Sequence, residues 1–157
     1  MNKMLIVAIA VCAVSGSAYA DGFVCQARNA SLTVKAYNHT HAVEGTRSGA
    51  VVVLSDPEAS AGEKTIARFT DAKGTLSSHG ADYVANVDLR FKDQSNKEAL
   101  VAGKVQLEDL DTVELSVDFS YSQPIAAGES VDGTIILNTR DGNSISLDAS
   151  CERYLKN

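Results

Sequence analysis

Tryptophan is absent from this 157-residue chain, proline occurs twice, and aromatic residues make up only 6% of it. A lipid-spanning β-barrel needs an outward apolar band flanked by two aromatic girdles, so this shortage argues against one. Basic residues are scarce as well, with 14 Lys and Arg against 20 Asp and Glu and a net charge of −6. A surface of that sign repels phosphate backbones and anionic lipid, which leaves nucleic acid out of the expected partners. Apolar runs of spanning length are missing too. The longest, Met4 to Val14, falls short of the roughly 20 residues a transmembrane helix requires. The chain contains no Gly-x-Ser-x-Gly elbow, no glycine-rich phosphate loop and no EF-hand spacing. No catalytic constellation stands out, so neither an enzyme nor a cofactor is expected.

The amino terminus has a clear pattern. Lys3 precedes the apolar run, and Ala18-Tyr19-Ala20 follows it. A charged start, a short apolar stretch and an A-x-A site together describe a secretory signal peptide. We read residues 1–20 as that leader, with cleavage between Ala20 and Asp21, and residues 21–157 as one domain. The product is expected to be secreted or periplasmic, with no transmembrane segment. A lipid anchor at Cys12 is disfavoured because the bulky Val11 precedes it. Removing Lys3 with the leader takes the net charge to about −7. Cationic partners suit such a surface.

Two cysteines remain after cleavage, Cys25 near the new start and Cys151 near the end. An even count in an exported chain implies a disulfide. A Cys25–Cys151 bridge requires both ends of the chain to meet.

Period-two alternation runs through the rest. Val113, Leu115, Val117, Phe119 and Tyr121 alternate with Glu114, Ser116, Asp118 and Ser120. Tyr83–Phe91 and Ser144–Cys151 repeat the pattern, which marks half-buried strands. Further strands are expected over Phe23–Arg28, Ser31–Asn38, Ala50–Ser55, Lys64–Thr70, Ala99–Leu107 and Thr134–Arg140. Asp141-Gly142 predicts a type I′ hairpin turn, with positive φ at both residues. Helical turns are expected at most in Pro57–Glu63 or Asp71–Ser78. The expected fold is therefore all-β: one antiparallel domain of about eight to nine strands, either a β-sandwich or a closed meander barrel. The disulfide would join the first and last strands, and Arg153–Asn157 look water-exposed.

Candidate sites are few. His39 and His41 would share a face of an extended strand, at a spacing that can place two imidazoles on one metal. They are weak candidates, because nothing brings the third histidine, His79, towards them. Glu108, Asp109, Asp111 and Glu114 carry oxygen ligands suited to calcium, but read better as a charged hairpin tip.

Ser78-His79-Gly80-Ala81-Asp82-Tyr83, followed by Lys97-Glu98-Ala99-Leu100, resembles the Ser-Gly-x-x-Tyr and Lys-Gly-x-x-Ala pattern of small bacterial periplasmic lysozyme inhibitors. Those proteins are compact, disulfide-bridged β-barrels. His79 interrupts the Ser-Gly spacing, and no glycine follows Lys97. The resemblance implies an inhibitor of a secreted hydrolase as one alternative, and no functional residue is carried over. The leading expectation is a non-enzymatic binding or interaction domain with an unknown partner. A carrier with a ligand inside the barrel is the other alternative, and an apolar internal cavity would mark it.

Overall fold

A computed structural model describes residues 19–40, 48–58, 65–77, 80–86, 98–118, 125 and 128–156. Eight strands form one antiparallel sheet: β1 (Tyr19–Ala27), β2 (Thr33–Thr40), β3 (Ser48–Ser55), β4 (Thr65–Ser77), β5 (Gly80–Asn86), β8 (Leu110–Val117), β9 (Val131–Thr139) and β10 (Ser144–Lys156). Two short strands, β6 (Leu100–Val101) and β7 (Val105–Gln106), pair with each other between β5 and β8. Each long strand pairs with its neighbours in the sequence, and β10 returns to pair with β1. The sheet is thereby an up-and-down barrel. Of the two expected architectures the barrel forms, because closing β1 onto β10 leaves neither strand with an unpaired edge.

The alternation in the sequence decides which face each residue takes. In β5, Ala81, Tyr83 and Ala85 are buried while Asp82, Val84 and Asn86 are exposed. In β8, Val113, Leu115 and Val117 are buried. Their paired residues across the sheet point the same way, so Tyr83, Leu115 and Ile135 form one inward row. Phe23, Val34, Leu54, Phe69 and Leu137 fill the rest of the interior, each no more than 2% exposed. The outer wall carries Gln26, Asp82, Asn86, Ser116, Asp132, Asp148 and Glu152, all exposed. An apolar interior with a polar wall is the reverse of a lipid-embedded barrel. Among the described residues no helix is long and apolar enough to cross a membrane.

Cys25 and Cys151 stand directly opposite each other in the β1–β10 ladder and are disulfide-bonded. Both are fully buried. The bridge therefore staples the seam at which the barrel closes.

Several expectations need correction. The stretch Ala99–Leu107 is not one strand. It folds back at Ala102 and Gly103, whose φ values are +55° and +66°. Consecutive positive φ angles are what the sequence led us to expect at Asp141-Gly142. There only Gly142 has positive φ. The Gly142 N–H donates to the Thr139 carbonyl (3.0 Å), and the Thr139 N–H donates to the Asn143 carbonyl (2.9 Å). This is a three-residue turn ending on a left-handed glycine rather than a type I′ turn. Asp71–Ser77 is not helical, since β4 runs through it. Glu108 and Asp109 belong to a short 3-10 turn, Leu107–Asp109, that leads from β7 into β8. Those two strands do not pair, so the acidic residues are not a hairpin tip.

Of the carboxyl-terminal residues expected to face water, Leu155 is exposed, but Arg153 and Tyr154 are half-buried in β10, which continues to Lys156. The inward Arg153 pairs with the buried Asp21, its Nε lying 3.1 Å from Oδ1 and a terminal guanidinium nitrogen 2.8 Å from Oδ2. On the outer face the Tyr154 ring lies 5.5 Å from that of Tyr37, and Lys35 Nζ stands 3.6 Å from the Tyr154 centroid. Bidentate pairing and a cation over an aromatic face hold the end of the chain in the wall.

A buried carboxylate organises one end of the barrel. Asp56 follows β3 and has no exposed surface. Its Oδ1 accepts from the Ser31 hydroxyl and from the Glu58 N–H (3.1 Å), and its Oδ2 accepts from the Ala102 N–H (2.8 Å). One side chain thus ties the β1–β2 turn, its own connection and the β6–β7 hairpin together. Beneath that hairpin, Leu32, Val101, Val105, Leu107 and Leu110 join the core. Asp56→Ala should cost about 3 kcal/mol, because an unpartnered buried donor costs ~1–3 kcal/mol and more than one is released here. Urea unfolding monitored by circular dichroism measures it, and a loss below about 1 kcal/mol would show that the pin is dispensable.

Ala102 adopts a left-handed backbone in which its Cβ is unfavourable by roughly 1–2 kcal/mol. Ala102→Gly should therefore stabilise the protein by up to about 1 kcal/mol, since glycine also loses more chain entropy on folding. An unchanged or lower urea midpoint would contradict the strain.

Candidate functional site

The same alternation that fills the interior sets a polar array on the opposite surface. Asp82 of β5, Ser116 of β8, Thr134 of β9 and Asp148 of β10 occupy matching register positions. They lie side by side across four strands, at the ~4.8 Å spacing between neighbours. Their inward neighbours are Ala81, Tyr83, Leu115, Val117, Ile135, Leu147 and Ala149, all buried. Arg28, just beyond β1, extends the row, its N–H donating to the Asp148 carbonyl (2.9 Å). Asp118 and Asp132 lie in the next row, joined by a backbone hydrogen bond of 3.0 Å from the Asp118 N–H to the Asp132 carbonyl. Together these residues line an open cleft of about 500 Å³.

The electrostatics of the cleft are lopsided. Four carboxylates face one guanidinium, and that guanidinium is paired with Asp132. The Ser116 hydroxyl donates to Asp82 Oδ1 at 2.7 Å. Asp82, Asp118 and Asp148 are all exposed. The lining contains no histidine, cysteine or lysine, so it presents acceptors and negative charge without a nucleophile and base in a triad-like arrangement.

A second cleft, of about 520 Å³, lies between the β6–β7 hairpin and the β9–β10 turn. Leu100, half exposed, and Ile145 supply its apolar part, while Lys104, Arg140, Asp109 and Asp141 supply charges of both signs. The Thr139 hydroxyl holds the Asp141 carboxyl below its ordinary pKa, helped by the Asn143 N–H. Those bonds organise the turn. With balanced charge, this cleft lacks the bias of the first.

Of the histidines, only His39 lies among the described residues. His39 belongs to β2, with its backbone in register with Gly49 and Ala20. His41 and His79 lie outside the described residues. Glu114 faces the outer wall and accepts from Asn138 Nδ2 at 2.7 Å, so it does not join Glu108 and Asp109 around a common centre. Among the described residues no three His, Cys, Asp or Glu side chains are placed to hold a metal. In the segment that resembles lysozyme inhibitors, Gly80–Tyr83 lies in β5 with Tyr83 in the core, and Ser78, His79 and Lys97 lie outside the described residues.

Sequence reasoning missed the cleft. Its aspartates are scattered from Asp82 to Asp148, and each looks like the ordinary polar partner of an apolar neighbour. The available signal was the outward phase of each strand, but only the register turns four separate positions into one row. Compared with models of known protein families, with curated proteins and with solved structures, the chain matches none.

Proposed function

We propose that this chain is an exported, non-enzymatic binding domain that engages its partner through the outer wall of the barrel rather than through its interior. The filled interior carries this reading. The inward rows around Phe23, Phe69, Tyr83, Leu115 and Ile135 are packed side chain against side chain, and both clefts open outwards on the wall and turns. A carrier would instead need an enclosed apolar cavity of several hundred cubic ångströms. The wall cleft of Asp82, Asp118, Asp132 and Asp148 fits a cationic group on a peptide or protein, because three of its carboxylates have no cationic partner among its lining residues. Electrostatic complementarity of this kind acts mainly on encounter rate and partner choice.

Export rests on the leader pattern and is consistent with the disulfide, which persists in oxidising compartments. The reading is tested with the mature protein and a labelled oligolysine peptide at low ionic strength. Fluorescence anisotropy should show binding that weakens as salt is added. Asp82→Asn, Asp118→Asn and Asp148→Asn together should weaken it at least tenfold while the disulfide stays intact. Equal binding by the triple variant would place the interaction elsewhere. A small apolar molecule retained in native mass spectra would restore the carrier.

A further inference from the structure

We infer that the closed barrel shields its own processing site, so that the Ala20–Asp21 bond is cut only while the seam between β1 and β10 is open. The inference rests on reading residues 1–20 as a secretory leader. Hydrolysis of the Ala20–Asp21 bond consumes one water and leaves a carboxylate on Ala20 and an α-amine on Asp21. In the closed barrel that bond lies inside β1, not ahead of it. Ala20 is in register with Lys156 on one side and His39 on the other, and Asp21 with Leu155 and Asn38. Both edges of the strand are therefore paired at the scissile bond.

A protease takes its substrate as an unpaired extended segment, so cleavage requires that backbone to leave the sheet. Two further contacts resist its leaving. The Asp21 carboxylate, only 7% of the residue being exposed, accepts both hydrogen bonds from Arg153. Four residues further along the same strand, Cys25 is bonded to Cys151. Both partners come from β10, which follows β1 by more than a hundred residues. Until β10 has been synthesised and brought to β1, the cleavage site has no partner on that edge. The topology thus leaves the β10 edge of the site unpaired until the seam closes.

The test uses the full 157-residue precursor in detergent micelles with a purified bacterial-type signal peptidase. One sample is oxidised and folded, as verified by circular dichroism and a mass lower by two hydrogens. The other is reduced and held unfolded until the enzyme is added. Mass spectrometry follows the product beginning at Asp21. The unfolded precursor should be cut between Ala20 and Asp21, and the folded one at least about a hundredfold more slowly. Equal cleavage of the two samples would overturn the proposal and leave the leader assignment intact. Absence of cleavage at Ala20–Asp21 in the unfolded sample would overturn the leader assignment, and the proposal with it.

Discussion

Leu115→Asp should leave a protein with no cooperative unfolding transition, whereas Ser116→Asp, one residue away, should change stability by less than about 1 kcal/mol. Leu115 is 1% exposed and sits between Tyr83 and Ile135 on the inner face. Truncating such a side chain costs about 2–5 kcal/mol. A carboxyl group in the same place adds the desolvation of an unpartnered polar group, ~2–7 kcal/mol. The two together reach the ~5–15 kcal/mol that holds an ordinary domain folded. Ser116 faces water on the other side of the same strand. An aspartate there meets Asp82, but repulsion between exposed charges is weak. Thermal denaturation followed by circular dichroism separates the two variants. Similar losses at both positions would mean that the strand's two faces are wrongly assigned.

Removing the seam disulfide by Cys25→Ala with Cys151→Ala should lower stability by about 4–5 kcal/mol, the chain-entropy value for a loop of this length. The two cysteines are 126 residues apart, so the bridge restricts nearly the whole unfolded chain. Guanidinium titration of both forms measures the difference, and a loss under about 1 kcal/mol would show that β1 and β10 hold the seam without it.

The bridge also explains a glycine in β9. A Cβ on Gly133 would stand 2.5 Å from Cys151 Sγ and 3.0 Å from the Ser116 carbonyl oxygen. Gly133→Ala should accordingly cost more in the bridged protein than in the cysteine-free one, where the sulfur is gone and only the backbone contact remains. A coupling of about 1 kcal/mol or more between the sites is expected, as for other residues in direct contact. Additive costs would show that the sulfur does not set the size of that position.

The strand faces were legible because alternation is a local property. Asp82 and Tyr83, or Leu115 and Ser116, choose opposite environments whatever the partner strand is. The cysteine pair was legible because two cysteines have only one way to pair within a chain. Turn conformation was legible only in part. Asp141-Gly142 was rightly placed between two paired strands, but its backbone differs from the expected one. The positive φ pair instead falls on Ala102-Gly103, where composition signals nothing unusual about Ala102. That strain is supported by a hydrogen bond to Asp56, 46 residues earlier in the chain, and a local pattern does not register a partner so distant.

Composition and period two by themselves determined an all-β, end-stapled domain with an acidic surface, since burial preference is written residue by residue. Tertiary structure alone decided that the sheet closes into a barrel, that Asp56 ties three connections together, and that four scattered aspartates share one wall. Those outcomes depend on register, which arises only when strands distant in sequence pair, and a one-residue slip would have turned every face inside out.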